Sequence, residues 1–447
     1  MRFIATALIF FNIAFQSSFS QLQGQHSTLS LKDCMEIALK RNTDIRLSEQ
    51  RVNASSADLT NAFGSFLPSI NLNAGFTRQY GGNNVNINGQ IIPIPQENIK
   101  PNSYNMGAQA QLPIFTGFSR EANYSAAKNN LESQYLQMEQ TAELVKINIY
   151  KQYVDVVEKM QIVKLRRQDF EMGKNELERI RANYEAGIIP IADVYAQEAE
   201  LGSRELQIVA AENSVELAKA TLMTTMGVPP DLSWQFLESS IPSTIEDREI
   251  KEFRTQYGSI NQVVELAMQQ RFDYRASNNN ISAAESGITA AKSGYLPTLA
   301  AYGGWSWANY ELDNVSDLGR SYIGLNISLP LFDNFNTNAR IQNAELSLAS
   351  RQIEKENLEF NIRTSIQSAF LNLEAAEKQI DISKRALKSA QQNHDAVQER
   401  YRVGISTLLE LNEANRQLLT AQLNSITYVY SYLKAQKQIL FEIGKFD

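Results

Sequence analysis

Apolar positions along the chain follow two different periods, and the switches between them mark the elements. From about residue 117 to 186 there is no proline and one internal glycine, Gly173, while apolar residues recur at steps of four and three. The stripe runs through Leu131, Tyr135, Met138, Ala142, Val145, Ile149, Tyr153, Val156, Met160, Val163, Phe170, Leu177 and Tyr184. That spacing predicts a coiled-coil helix of about 70 residues, near 105 Å long. A stretch at 335–403 keeps the stripe more sparsely, with Ile362, Ile366, Phe370, Leu373, Ile380 and Leu387. Gly187 and Gly404 follow these helices where left-handed caps would end them, and Pro190 sits where a new helix can start. The returning helices are expected to reach Met226 and Ile443.

Four other segments, 69–80, 103–112, 298–308 and 321–329, alternate with period two. Ile70, Leu72, Ala74 and Phe76 alternate with polar or small residues; Tyr322, Leu325, Ile327 and Leu329 do so with one shift. Their lengths are near the roughly 9–11 residues of a tilted membrane strand. Trp305, Trp307, Tyr80, Tyr104, Tyr302 and Tyr322 cluster in them, and Phe115 and Phe332 follow their ends, as interfacial aromatic girdles would require. A small soluble sheet with an aromatic core is the competing reading.

The chain is also a doubled sequence, which fixes its organisation before any motif is weighed. Ile37-Ala38-Leu39, Asn42 and Asp44 align with Leu266-Ala267-Met268, Arg271 and Asp273, and Phe66-Leu67-Pro68 aligns with Tyr295-Leu296-Pro297. Leu112-Pro113-Ile114-Phe115 then matches Leu329-Pro330-Leu331-Phe332. Tyr184 with Gly187-Ile188 matches Tyr401 with Gly404-Ile405, and Met226-Gly227 matches Ile443-Gly444, at an offset shorter by about 12 residues. The difference places an insertion in the first copy between Pro68 and Leu112, where Gly81 to Asn84 and Pro93 to Pro101 read as a polar loop. The expected fold is mainly α with a small β part, in two tandem repeats, 21–227 and 260–447. Each reads helix, strand, strand, long helix, helix; Pro229, Pro230 and Pro242 mark a linker at 228–259.

Composition narrows the function. Met1-Arg2, an apolar run from Phe3 to Phe15 and Ser18-Phe19-Ser20 have the layout of a secretory leader at 1–20. That run is about 13 residues, short of the roughly 20 that a membrane-crossing helix needs. Cys34 is the one cysteine and reads as a small buried helix residue. The net charge of −7, with both signs mixed along the chain, argues against a nucleic-acid partner. The two histidines, His26 and His394, stand far apart without metal-ligand spacing and read as solvated surface residues. No Ser-His-Asp set, phosphate loop or cofactor motif appears, so neither an enzyme nor a cofactor is expected.

Four strands cannot close a barrel alone, yet strands in a bilayer tolerate no unpaired edge. The smallest membrane barrels use about eight strands, so two copies are the minimum and three give twelve. A secreted or periplasmic coiled-coil scaffold would also explain the helices and the leader, but it leaves the strands without a role.

The duplicated Leu-Pro-x-Phe, the duplicated Tyr-x-x-Gly-Ile and the paired N-terminal helices together resemble the TolC outer-membrane efflux protein family, over essentially the whole mature chain. The resemblance implies a homotrimer in outer-membrane lipid, with a twelve-stranded β-barrel continuing into a long α-helical periplasmic barrel. It also implies docking to a periplasmic adaptor protein and an inner-membrane pump or ATPase, with Tyr184, Gly187 and Gly404 at the helix reversals that meet the adaptor. The implied periplasmic gate, by position, comprises Asp193, Tyr401, Glu410 and Glu413, with Ser406 where the family has an arginine. Closure is then expected to rely on packing near Tyr401, with Arg400 or Arg402 as the substitute cation. Around a three-fold axis Glu410 and Glu413 would form a cation-favouring ring; ordinary solvated helix carboxylates are the plainer reading.

Overall fold

The structure, a computed structural model, describes residues 28–81, 84–87, 89–93, 95, 100–230 and 234–446. The leader at 1–20, His26 and part of the polar loop beyond Gly81 lie outside the described residues. In chain order, β1 (Thr28–Leu29) precedes α1 (Leu31–Arg41), α2 (Thr43–Gly64), β2 (Ser69–Arg78), a hairpin of β3 (Asn84–Ile87) and β4 (Gln90–Pro93), and β5 (Asn102–Phe115). Next come α3 (Ser119–Glu185), α4 (Ile191–Thr225), β6 (Gln235–Phe236), α5 (Asp247–Tyr257), α6 (Ile260–Gln270) and α7 (Phe272–Lys292). The chain ends with β7 (Thr298–Asn309), α8 (Val315–Leu318), β8 (Arg320–Ser328), α9 (Asn336–Arg402) and α10 (Leu408–Ile443). The protein is thus mostly helical with a small sheet part. Among the described residues no helix is long and apolar enough to cross a membrane.

The chain divides into two compact units. One contains Glu49–Met138 and Phe272–Glu359, and its centre is an antiparallel sheet in the order β2-β5-β7-β8. Because directly paired residues share a face, the register sorts the side chains into two sets. Ile70, Leu72, Ala74 and Phe76 stand with Met106, Ala108 and Leu112, and then with Leu299, Trp305, Trp307, Ile323, Leu325 and Ile327. The opposite face carries Asn71, Asn73, Asn105, Gln109, Gln111, Ser306, Arg320 and Asn326. The apolar face is bare along β2 and β8, where Leu72 is 80% exposed, Ile323 90% and Ile327 72%, whereas Trp307 of β7 on the same face is buried.

This register corrects two expectations. Tyr322 belongs to the polar face, so the apolar stripe of β8 is Ile323, Leu325 and Ile327, with Leu329 beyond the strand. Tyr302 also lies on the polar face, so neither tyrosine joins an aromatic girdle with Trp305, Trp307 and Tyr104. Sequence alternation missed this because each ring lies over a cross-strand glycine. A Cβ on Gly324 would sit 2.6 Å from the Tyr302 ring, and one on Gly304 would sit 2.8 Å from the Tyr322 hydroxyl.

The other unit takes in Met1–Ser48, Glu139–Arg271 and Phe360–Asp447. Ser30 and Asp33 close a capping box at the start of α1, which carries Cys34 and Ala38 into the core. The stripe residues Val145, Ile149, Tyr153 and Val156 of α3 are buried in the same unit. Tyr135 and Tyr184, at the ends of the same stripe, remain exposed. The Tyr153 hydroxyl donates to the carbonyls of Leu29 (3.0 Å) and Leu237 (2.8 Å), clamping the parallel pair of β1 with β6. His394 is less solvated than expected: its side chain is 14% exposed, with Nδ1 3.2 Å from Asp395.

Two helix ends are tied down in different ways at matching places. Gly227 (φ 72°) follows α4 and Gly444 (φ 81°) follows α10, both left-handed. Beside the first, Asn42 caps α2 through the Asp44 N–H (2.8 Å) and donates to the Thr225 carbonyl (2.8 Å). Beside the second, the Arg271 guanidinium reaches Glu442 at 2.7 Å in a buried ion pair.

Gly227 approaches Arg41 so closely that a Cβ would lie 2.4 Å from its carbonyl oxygen, whereas one on Gly444 would find its nearest neighbour at 3.3 Å. Gly444→Ala is therefore expected to cost the roughly 1–2 kcal/mol of a left-handed alanine. Gly227→Ala is expected to cost about 1–3 kcal/mol more, and the two midpoints in thermal circular dichroism check the order. Burial pushes the Cys34 thiol up to about 12. The native protein at pH 8 should resist iodoacetamide, and the urea-unfolded chain should take up one label, as mass spectrometry would show.

Candidate functional site at the helical reversals

Both reversals sit in the unit that contains Glu139–Arg271 and Phe360–Asp447, and both close with the same backbone pattern. After α3 the Gly187 N–H donates to Tyr184 (2.8 Å) and the Ile188 N–H to Asn183 (2.9 Å). After α9 the Gly404 N–H donates to Tyr401 (3.0 Å) and the Ile405 N–H to Arg400 (2.8 Å). These are Schellman closures, which need a left-handed residue; Gly187 and Gly404 supply it with φ of 72° and 77°. Ile188, Ile405, Val403 and Leu409 are left exposed around the turns.

The return helices start differently. Pro190 precedes α4 and gives no side-chain cap, while Thr407 and Glu410 form a full capping box for α10. The Glu410 carboxylate accepts from the Thr407 N–H at 3.1 Å, which holds its pKa below the usual range. Glu413 is also held low, first by Arg416, whose guanidinium it grips, and then by Gln417 (2.8 Å). Both carboxylates are thus engaged within α10 and its cap.

Asp193 lies within electrostatic reach of Tyr401. Tyr401, half-buried, has the Arg179 guanidinium 5.1 Å from its ring centre, and Arg179 is bonded to Glu176 at 2.6 Å. Burial raises the Tyr401 hydroxyl pKa, Glu176 and Asp193 add to the rise, and Arg179 opposes it. The phenol is therefore a neutral hydrogen-bonding group at physiological pH. The cation over Tyr401 is Arg179 of α3; Arg402 is paired with Glu399 at 3.0 Å, and Arg400 adds to the lowering of the Glu410 pKa. Ser406, where a family arginine would stand, is buried and reaches no carboxylate of α4 within hydrogen-bond distance among the described residues.

Below the turns the two hairpins are locked internally and to each other. Leu177, Ile180 and Val194 form a small core on which Ile189, Leu201 and Leu408 pack. Arg204 on α4 is buried and donates to the Asp169 carbonyl (2.9 Å) and carboxylate (3.1 Å) on α3, in the space that Gly173 leaves open. Burial raises the Asp169 pKa, and Arg204 counteracts the rise. Gln197, fully buried, accepts from Asn412 on α10 at 3.2 Å and faces the Gly173 carbonyl at 3.5 Å.

Sequence reasoning passed over Arg179, Gln197, Arg204 and Asn412. A signal for two of them existed: Val194, Gln197, Leu201 and Arg204 continue the three-and-four spacing of a buried stripe, so polar residues there must find buried partners. Arg179 carried none, since its aromatic partner lies over 200 residues away in sequence. Among the described residues no group of three or more histidine, cysteine or carboxylate side chains is placed to hold a metal.

The sequence profile of the outer membrane efflux protein family matches residues 34–228 and again 263–445. The chain is similar to Outer membrane protein TolC of Vibrio cholerae serotype O1, at 24% identity over 399 residues, covering 86% of this chain and 84% of the relative. It is 24% identical over 345 residues to Outer membrane efflux protein BepC of Brucella suis biovar 1, covering 76% and 72%. Its fold is that of the Campylobacter jejuni CmeC outer membrane channel, with a TM-score of 0.77 at 20% identity over 93% of this chain and 86% of that one.

Breaking one side of the buried pair tests how rigidly α3 and α4 are joined. Arg204→Met strands the Asp169 carboxylate and is expected to cost roughly 3–5 kcal/mol, most of it recovered in Arg204→Met with Asp169→Leu. Chemical unfolding of the three proteins in detergent gives the comparison.

Proposed function

The chain belongs to the outer membrane efflux protein family, and from that premise we propose that it is the exit duct of a tripartite efflux or type I secretion assembly, passing small molecules or proteins passively from the periplasm to the exterior. It resides in the outer membrane and reaches into the periplasm. The observation that carries the reading is the sheet: one face apolar and bare along β2 and β8, the other polar, and both outer strands, β2 and β8, unpaired on one side among the described residues.

In hydrocarbon each unsatisfied backbone group costs several kcal/mol, so the free edges of β2 and β8 must meet those of other copies. Three copies close twelve strands, with Leu72, Ile323 and Ile327 against lipid and Asn71, Gln109 and Asn326 lining the lumen. The long helices of the same homotrimer form an α-helical barrel in the periplasm. The family profile matches twice, at 34–228 and 263–445, which supports two tandem repeats divided near 228–259.

The reversals are the periplasmic gate. Asp193, Tyr401, Ser406, Glu410 and Glu413 lie on or beside them, and a periplasmic adaptor with an inner-membrane pump or ATPase opens them. Tyr184, Gly187 and Gly404 shape the turns, and the exposed Ile188, Ile405 and Leu409 give the adaptor an apolar contact. Closure uses the Arg179 stack on Tyr401 where an ion-pair latch would need a cation at 406.

Planar-bilayer recording of the purified protein is the test: discrete conductance steps from a heat-dissociable trimer are expected, and a strictly monomeric, non-conducting preparation overturns the reading. In the same assay Glu410→Gln with Glu413→Gln should lower the cation-to-anion permeability ratio by about two- to threefold. An unchanged ratio removes those carboxylates from the lumen.

A further inference from the structure

We infer that the buried amide contact between Gln197 and Asn412 holds the gate shut by fastening the second helical hairpin to the first, making Gln197 a positioning residue for opening. This rests on the reading of the reversals as the gate. The first hairpin, α3 with α4, is a stiff body near its turn: the Arg204–Asp169 pair is buried inside it, and Arg181 joins Glu198 at 2.6 Å across it. In the second, α9 with α10, the one side-chain hydrogen bond spanning the arms in that region among the described residues is Asn393 to Gln417 at 3.5 Å. Opening by hairpin movement therefore parts the two bodies before it deforms the first.

Near the turns, specific contacts cross from one hairpin to the other: the Arg179 guanidinium lies over Tyr401, Leu408 packs on the core of Leu177, Ile180 and Val194, and Asn412 donates to Gln197. No ion pair crosses there among the described residues. Gln197 is the most completely buried polar member of the seam, at 0% exposure, and both ends of its amide are directed, one to Asn412 and one to the Gly173 carbonyl. A buried amide set between two bodies loses its partner as soon as they separate, so the bond fixes the closed register and not merely proximity.

The experiment compares wild type, Gln197→Met, Asn412→Leu, the two combined, and the exchanged pair Gln197→Asn with Asn412→Gln. Each is recorded in planar bilayers and run on gels after graded heating to follow trimer stability. Each single variant should raise time-averaged conductance about fivefold, the size expected from losing one neutral hydrogen bond. The combined variant should add little to either single one, because the bond is already gone. The exchanged pair keeps the summed side-chain reach and should return conductance toward wild type while trimer heat resistance stays unchanged throughout. Single variants that conduct like wild type overturn the inference and leave the duct reading standing. Additive gains, or gains that merely follow lost heat resistance, also overturn it. A wild type that never conducts overturns the duct reading, and the inference with it.

Discussion

The constraint on which the rest depends is that main-chain N–H and C=O groups require partners wherever water is absent. The sheet satisfies it internally only between β2 and β5, β5 and β7, and β7 and β8. Among the described residues the strand order ends at β2 and β8, whose outer edges carry no ladder partner. The side chains repeat the message, since Leu72 and Ile323 gain nothing from water, whereas Asn71 and Gln109 gain nothing from lipid. A sheet with one wet and one dry face and open margins is stable in a bilayer only as part of a closed ring. On the proposed reading, assembly with other copies is then a condition of folding in the membrane.

The helical part meets the same requirement by a different route. Within α3 and α9 the main chain is self-satisfied along 67 residues each, so polar accounting moves to the ends and to the side chains of the buried stripe. The ends are closed by Gly187, Gly404, Gly227 and Gly444 in left-handed caps, and by the Ser30 and Thr407 boxes at helix starts. Within the stripe, Gln197 and Arg204 replace apolar residues and are held by Asn412 and Asp169. Such substitutions weaken a coiled coil but fix its register.

What the sequence made legible follows from how local each signal is. The long helices, the strands and the left-handed glycines are written in consecutive residues, and the doubling is written in recurrence at a fixed offset. Face assignment in β8 was less secure, because Tyr322 and Leu325 differ by three positions and alternation alone admits either phase; only pairing with Tyr302, Gly304 and their neighbours decides it. The site was legible in part. Asp193 and Tyr401 fall near one another, but their cation, Arg179, reaches Tyr401 only through the packing of α3 on α9. The roles of Glu410 and Glu413 were hidden for the opposite reason: their partners Thr407 and Arg416 are three residues away, and a plain local reading of a helix start would have found them.

The two copies show how a duplicated chain acquires a direction. At the matching ends of α4 and α10, Asn42 and Arg271 occupy equivalent positions and solve the same problem, holding a helix terminus against a helical corner. The first does so with neutral hydrogen bonds and a glycine that admits no Cβ; the second uses a buried charge pair and a glycine with room beside it. A buried pair tolerates the loss of neither partner, while a neutral amide can exchange its carbonyl for water at modest cost. At the reversals the contrast recurs with the copies in opposite roles: the charge pair Arg204–Asp169 lies inside the first hairpin, and the neutral contact of Gln197 with Asn412 lies between hairpins. Charge is thus placed where parts must not separate and neutral amides where they meet. A doubled chain can in this way keep two similar hairpins and still give them unequal stiffness.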